Sequence, residues 1–95
     1  MFARVTRYKF KTDKLGEVDA VLDRARAKLS RIAGLVSTST MRNDDGVGMT
    51  VALYTDAAAA EAAAQQIKDV WADFGDFVAA PLEVQTFSTV HKLAG

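Results

Sequence analysis

The chain has 95 residues, of which 49% are hydrophobic and 25% charged, the composition of a folded globular protein rather than of a disordered tail. Twelve Lys and Arg balance twelve Asp and Glu, so no bulk field attracts nucleic acid or an anionic membrane surface. Cysteine is absent, which excludes disulfides, Fe–S clusters and cysteine nucleophiles, and the length predicts one domain over residues 1–95.

The first half of the chain predicts a strand, a helix and a second strand. Residues 2–10 are rich in Val, Thr, Tyr and Phe with interleaved charges, which is typical of a strand whose two faces differ. Apolar residues then recur every three or four positions and predict a helix, capped by Asp13 and followed by a left-handed Gly34. The apolar stripe consists of Leu15, Val18, Leu22, Ala25, Leu29 and Ile32. A β-branched run, Leu35–Arg42, predicts the second strand.

The second half repeats the order strand, helix, strand. Residues 43–46, Asn-Asp-Asp-Gly, predict a hairpin turn into a third strand, Val47–Tyr54. Asp56 can cap an alanine-rich second helix, which Gly75 is expected to end or bend. The apolar stripe of this helix consists of Ala60, Ala63, Ile67, Val70 or Trp71, and Phe74. Residues 82–93 predict a final strand that is long for so small a protein.

The order βαββαβ predicts an α+β fold of the ferredoxin-like type, with both helices on one face of a four-stranded antiparallel sheet. The first and third strands then lie at the centre. Residues of the first strand that share one side are Phe2, Arg4, Thr6, Tyr8 and Phe10. The third strand has no polar side, although a sheet with one wetted face should alternate more cleanly. We therefore predict a two-fold homodimer that packs sheet against sheet.

Several other proteins with this order of elements are excluded because their functional residues are missing. An RNA-recognition motif stacks bases on aromatic residues of its central strands, but the third strand carries only Tyr54, at its end. Residues 46–48, Gly-Val-Gly, lack the third glycine of a dinucleotide fingerprint and open no helix. Residues 43–45 lack the spacing of a calcium-binding loop. We predict neither a metal site nor a nucleic-acid partner.

Neither an export signal nor a membrane-spanning segment is visible in the sequence. Arg4, Arg7 and Lys9 interrupt the apolar residues at the start of the chain. No run of eighteen uncharged apolar residues occurs. We therefore expect a cytoplasmic protein without a membrane partner.

Three stretches carry a resemblance to a known family. Residues 33–36, Ala-Gly-Leu-Val, join the first helix to the second strand. After the hairpin at residues 44–46, residues 51–56, Val-Ala-Leu-Tyr-Thr-Asp, lead into the second helix. With the opening strand, nearly the whole chain resembles the antibiotic-biosynthesis-monooxygenase-like family of dimeric α+β barrels, with Tyr54 where that family often has Trp. The resemblance implies a homodimer with a ligand pocket between helices and sheet.

The resemblance also implies a choice among activities. Family members include cofactor-independent oxygenases of polyphenolic or quinol-like substrates, haem-degrading enzymes and small proteins without an assigned activity. The haem-degrading branch combines an Asn on the first strand, a Trp on the second helix and a His on a nearby helix. In this chain Thr6 occupies the approximate Asn position, Trp71 roughly matches the Trp, and His91 lies on the predicted last strand. Haem degradation is therefore disfavoured, and no cofactor is predicted.

Two functional hypotheses stay open. In the first, the protein binds a small aromatic ligand and oxygenates it without a cofactor, with the Arg4 guanidinium stabilising a phenolate. The candidate pocket residues are Arg4, Thr6, Tyr8, Tyr54, Trp71, Phe74 and His91. No catalytic residue is assigned, because each candidate also fits a purely structural role in the core or at the surface. In the second hypothesis, the barrel is non-catalytic and the small side chains of the second helix let it close on the sheet.

Overall fold

The computed structural model describes residues 1–95 and has four β-strands and three α-helices in the order β1, α1, β2, β3, α2, α3, β4. The strands are β1 (Phe2–Lys9), β2 (Leu35–Arg42), β3 (Val47–Tyr54) and β4 (Glu83–Phe87). The helices are α1 (Leu15–Leu29), α2 (Ala57–Ala62) and α3 (Ala64–Ala72). This is the predicted βαββαβ order with the second helix divided into α2 and α3. None of the helices is both long and apolar enough to cross a membrane.

The four strands form one antiparallel sheet in the order β2-β3-β1-β4, so the predicted central position of the first and third strands is confirmed. The β1–β3 ladder places Arg4 opposite Ala52 and Thr6 opposite Thr50. Because alternate residues of a strand point to opposite faces, the even-numbered residues of β1 share the face that the helices cover. The odd-numbered residues of β1 belong to the other face, which we call the open face.

Two groups of buried side chains hold the helices to the sheet. The first group joins β1 to α1 and α3 and consists of Tyr8, Phe10, Val18, Ala25, Val70 and Phe74. The second joins β3 to α2 and consists of Ile32, Ala52, Tyr54, Ala60 and Ala63. Tyr8 pairs with Gly48 and Tyr54 with Phe2, near opposite ends of the β1–β3 ladder. The helices are therefore anchored near both ends of the central strands.

Three predicted helix features can be compared with the structure. Asp56 caps α2 as predicted, since its Oδ1 accepts a hydrogen bond of 2.8 Å from the Ala59 amide. The prediction that Asp13 caps the first helix is wrong: Asp13 lies within a single 3-10 turn, and the residue at the cap, Lys14, makes no side-chain capping bond. Gly34 is left-handed as predicted, with φ of 79°, but α1 already ends at Leu29.

The predicted final strand over residues 82–93 is too long. β4 covers only Glu83–Phe87, and it pairs with β1 from Glu83 opposite Arg7 to Phe87 opposite Ala3. Because β1 begins at Phe2, it offers almost no backbone with which residues beyond Phe87 could pair. Residues 88–95 therefore form no strand, and His91 does not lie on one.

Gly48 allows a side chain to cross over β3. The Tyr8 hydroxyl hydrogen-bonds with Thr40 Oγ1 at 2.8 Å and donates to the Met41 carbonyl at 3.2 Å, both on β2. A Cβ at position 48 would lie 2.7 Å from this hydroxyl and 2.3 Å from the Met41 carbonyl oxygen. The crossing of Tyr8 from β1 to β2 thus requires glycine at position 48.

We expect Gly48→Ala to lower the free energy of unfolding by about 1–3 kcal/mol, because the added methyl group collides with backbone and displaces Tyr8. Gly16→Ala is the matched control: nothing lies within 4 Å of its Cβ position, on the exposed first turn of α1. This control should raise stability by about 0.4–1 kcal/mol. Urea titration of both variants measures the two effects, and equal stability of the variants would contradict the role given to Gly48.

Candidate ligand-binding cavity

A cavity of about 480 Å³ lies between the helix-covered face of the sheet and helices α1 and α3. On this face β3 presents three small residues in succession, Gly48, Thr50 and Ala52. Their neighbours on β1 are Tyr8, Thr6 and Arg4. The Tyr8 side chain crosses Gly48, whereas the space above Thr50 and Ala52 stays open, and the volume of the cavity is within the range of small-molecule sites in proteins.

Side chains fill only part of the space between helices and sheet. Two alanines of the predicted second helix, Ala60 and Ala63, do pack closely, but they do so around Tyr54 and Ala52 in the second buried group. Neither alanine lines the cavity, which lies against α1 and α3 instead. Small residues in the alanine-rich segment therefore close only one part of the interior.

The cavity brings together six of the seven candidate residues predicted from the sequence. Those lining it are Arg4, Thr6, Tyr8, Tyr54, Trp71 and Phe74. His91, the seventh, does not line the cavity, because it follows β4 in the exposed segment without regular structure. The correction follows from the short β4, which leaves the end of the chain outside the sheet.

One end of the cavity is aromatic. The Tyr8 ring centroid lies 4.5 Å from that of Phe10 and 5.8 Å from that of Trp71. Phe74 continues the group, with centroids 5.9 Å from Phe10 and 5.8 Å from Trp71. All four pairs are tilted, an arrangement that aromatic quadrupoles favour over face-to-face stacking. We call these four residues the aromatic end.

The middle of the cavity floor is a row of threonines across three strands. Thr6 on β1 lies opposite Thr50 on β3, which lies opposite Thr40 on β2. The Thr50 hydroxyl donates to Thr40 Oγ1 at 3.1 Å, and Thr40 donates to the Met49 carbonyl at 3.2 Å. Thr6 is only 4% exposed. Sequence reasoning found Thr6 but missed the other two, although cross-strand pairing of the hairpin could have suggested Thr50.

The other end of the cavity floor is formed by polar side chains that have neither a hydrogen-bond nor an ion-pair partner. Arg4 on β1 and Thr38 on β2 flank Ala52 on β3, and Tyr54 follows Ala52 on the same face. We call Arg4, Thr38 and Tyr54 the polar end. The Tyr54 and Thr38 hydroxyls are buried without a hydrogen-bond partner. Each such group costs about 1–3 kcal/mol, so the pair is an unusual burden in so small a protein.

Charge in the cavity is positive and only partly compensated. Three arginines line it, of which Arg42 pairs with Asp19 and Arg26 with Asp23. Arg4 is half-buried and makes neither an ion pair nor a side-chain hydrogen bond with the chain. No Asp, Glu or His lines the cavity. The cavity therefore presents an uncompensated guanidinium and no general base.

Tyr54 is the one titratable group whose environment clearly changes its proton affinity. Burial raises the pKa of Tyr54 above its usual value of 10.0, and the positive charge of Arg4 opposes this with a smaller effect. Tyr54 is therefore protonated at neutral pH and available as a hydrogen-bond donor. The pKa of Tyr54 is higher in the folded chain than in the unfolded chain. The contribution of this group to the free energy of unfolding is therefore constant below pH 10 and falls as pH rises through the raised pKa.

The residues that line the cavity do not fit the haem-degrading arrangement. Thr6 replaces the expected Asn, and the only histidine of the chain, His91, lies elsewhere. Trp71 does line the cavity, as that arrangement would require. No group of three or more His, Cys, Asp or Glu side chains is placed to hold a metal ion.

Comparison with known proteins identifies solved structures that have the same fold. No sequence-family model matches the chain, and no curated protein matches it in sequence. A proposed antibiotic biosynthesis monooxygenase from Caulobacter crescentus is similar in structure, with a TM-score of 0.80 and 20% identity over 95% of this chain and 90% of that one. SnoaB, a cofactor-independent oxygenase from Streptomyces nogalater, has a TM-score of 0.77 and 20% identity over 99% and 97% of the two chains.

A protein of unknown function from Nitrosomonas europaea is also similar, with a TM-score of 0.76 and 15% identity over 99% of this chain and 94% of that one. Further structural neighbours are named as antibiotic biosynthesis monooxygenases, two of them as proposed ones. The predicted α+β ferredoxin-like fold and the resemblance noted from the sequence are thereby confirmed. At these identities the likeness is one of fold.

We expect Tyr54→Phe to raise the free energy of unfolding by about 1–3 kcal/mol, because it removes a buried hydroxyl that has no partner. Tyr8→Phe removes a hydroxyl that is hydrogen-bonded, so it should lower stability by about 1 kcal/mol. Thermal and urea unfolding of the ligand-free protein measure both. A loss of stability in Tyr54→Phe would mean that its hydroxyl has a partner after all.

Proposed function

We propose that this chain forms a homodimer that binds an aromatic ligand in the cavity and oxygenates quinol-like or polyphenolic compounds with O2, without a cofactor. The observation that carries the proposal is the pairing of an aromatic end with an uncompensated guanidinium across one cavity. Aromatic side chains favour a flat, electron-rich ring, and an unpaired cation favours the anionic form of such a ring system. Together they favour the ionised aromatic compounds that react directly with O2.

The residues of the cavity suggest how the reaction is divided between protein and substrate. Since no Asp, Glu or His lines the cavity, the substrate proton passes to solvent, and the protein stabilises the resulting anion. Arg4 supplies the positive charge, and the four aromatic side chains exclude water from the ring. The protein therefore acts by selecting and holding an ionised substrate rather than by removing its proton with a side chain.

The oxygenation can be written so that atoms and electrons balance. A methylene carbon between two aromatic rings loses a proton, and the carbanion gives its electrons to O2 to form a carbon–oxygen bond. After protonation, the resulting hydroperoxide loses water and leaves a carbonyl group. One O2 is consumed, one oxygen atom enters the product and the other leaves as water. The structural similarity to SnoaB, a cofactor-independent oxygenase, supports this reaction class.

A second candidate function is ligand binding without turnover. The absence of a base among the cavity-lining residues favours it, because nothing in the cavity accelerates the loss of a proton. The structural similarity to a protein of unknown function is compatible with either candidate. The two candidates share the ligand class and differ only in whether O2 is consumed.

The open face of the sheet supports the homodimer. Apolar residues that share this face are Ala3, Val5, Met41, Val47, Met49, Val51, Leu53 and Phe87. Met41, Val47 and Phe87 are 51%, 44% and 41% exposed, respectively. Exposed apolar side chains on one face of a sheet are typical of a protein–protein contact, and a second copy of the same face would cover them symmetrically.

We expect native mass spectrometry of the wild-type protein to give the mass of two chains. Val51→Lys places a charge at the centre of the open face, so it should give one chain. Val84→Lys is the control, since Val84 is 59% exposed but lies on the edge strand opposite Thr6, on the other face. Phe87→Lys tests the rim of the same face should Val51→Lys fold poorly. A monomeric wild-type protein would contradict the homodimer.

We expect an anthrone-type polyphenol to quench Trp71 fluorescence saturably and to be oxidised with uptake of one O2 per molecule in the presence of a metal chelator. The rate of this oxidation should follow the pKa of the substrate, because no Asp, Glu or His lines the cavity. Ala25→Leu, which fills the cavity from α1, should remove both signals, whereas Ala20→Leu on the exposed face of α1 should change neither. Quenching without O2 uptake would favour the second candidate, and the absence of both would refute the ligand cavity.

A further inference from the structure

We propose that the polar end of the cavity is an oxyanion subsite that selects aromatic ligands carrying a carboxylate group. Arg4, Tyr54 and Thr38 form this subsite, with Ala52 between them. The inference rests on the proposed aromatic-binding function and names the class of compound that the same cavity takes. It distinguishes the group that anchors the ligand from the carbon that reacts with O2.

The sheet register creates the subsite. Arg4, Ala52 and Thr38 form one row across β1, β3 and β2, and Tyr54 is two residues beyond Ala52 on the same face. Neighbouring strands are about 4.8 Å apart, so the two polar residues of the row stand roughly 10 Å apart at their backbones. Ala52 leaves the middle of the row empty. A ligand group above Ala52 can therefore be approached from both sides.

The chemistry of the three side chains favours an anion with two oxygens. The Arg4 guanidinium offers parallel N–H donors that match a carboxylate, and it has no partner within the chain. The Tyr54 and Thr38 hydroxyls are also without partners, and Tyr54 is completely buried. Two hydroxyls and a guanidinium exceed what a single phenolate oxygen needs, whereas a carboxylate has lone pairs for all three.

Position along the strands separates this subsite from the aromatic end. Arg4 and Tyr8 are four positions apart on β1, which corresponds to roughly 13 Å at 3.3 Å per residue. A fused two-ring system with a carboxylate spans this distance. Its rings would lie above Thr6 and extend toward Tyr8 and Trp71.

The test compares 6-hydroxy-2-naphthoate with its uncharged amide, 6-hydroxy-2-naphthamide, by isothermal titration calorimetry near neutral pH, where both naphthols are protonated. The wild-type protein should bind the acid about tenfold or more tightly than the amide, the effect expected of a charge-assisted hydrogen bond. Arg4→Met should abolish this preference, because only the acid loses a charge-assisted hydrogen bond. Tyr54→Phe, which keeps the ring, should reduce the preference by a smaller factor.

Arg31→Met is the control, because Arg31 is exposed beyond the end of α1 and does not line the cavity. It should bind both probes as the wild-type protein does. Equal affinity of the wild-type protein for acid and amide, or a preference that survives Arg4→Met, would overturn the oxyanion subsite and leave aromatic binding intact. Failure of the wild-type protein to bind either probe would overturn the proposed function together with the subsite.

Discussion

The small side chains on the helix-covered side of β3 are the constraint on which the interior of this protein depends. Gly48, Thr50 and Ala52 present little bulk, while the aromatic end and Tyr54 hold the helices off the sheet on either side of them. Protein interiors normally close such gaps, because every unfilled volume forfeits dispersion energy. At Gly48 the Tyr8 side chain occupies the space, so a larger residue there would displace a side chain that lines the cavity, whereas the gap above Thr50 and Ala52 stays open.

The two tyrosines of the central strands show how the cavity divides into structural and functional parts. Tyr8 uses its hydroxyl to join β1 to β2, and its ring belongs to the first buried group. Tyr54 is equally buried, yet its hydroxyl joins nothing. A chain selected for stability alone would carry Phe at position 54, since the ring packs and the hydroxyl does not contribute. Retention of that hydroxyl beside an unpaired Arg4 is understandable if a bound group completes both.

The sequence was sufficient for the parts of the site that depend on local alternation. Arg4, Thr6 and Tyr8 could be placed on one face because β1 is regular, and Tyr54 followed from the hairpin. Thr38 and Thr40 could not be assigned to this face, because a register shift between Leu35 and Ser37 reverses which residues of β2 face the helices. The length of β4 could not be predicted for another reason, because it depends on where its partner β1 begins. The overlong predicted strand in turn placed His91 wrongly. Irregularities and partner lengths are tertiary properties that periodicity does not encode.

The cavity and the open face are opposite sides of the same two central strands, so their energetics are connected. Only 15 of the 95 residues are buried, and a chain of this size has little surplus stability to offset two unpaired hydroxyls. Burial of the open face against a second copy would offset the stability lost to the two unpaired hydroxyls, since association stabilises the folded chain by mass action. The unpaired hydroxyls raise the free energy of the empty protein, and a ligand that pairs them recovers that free energy on binding. In the proposed homodimer, burial of the open face would offset the cost of the two unpaired hydroxyls, and a ligand anion at the polar end would recover the rest.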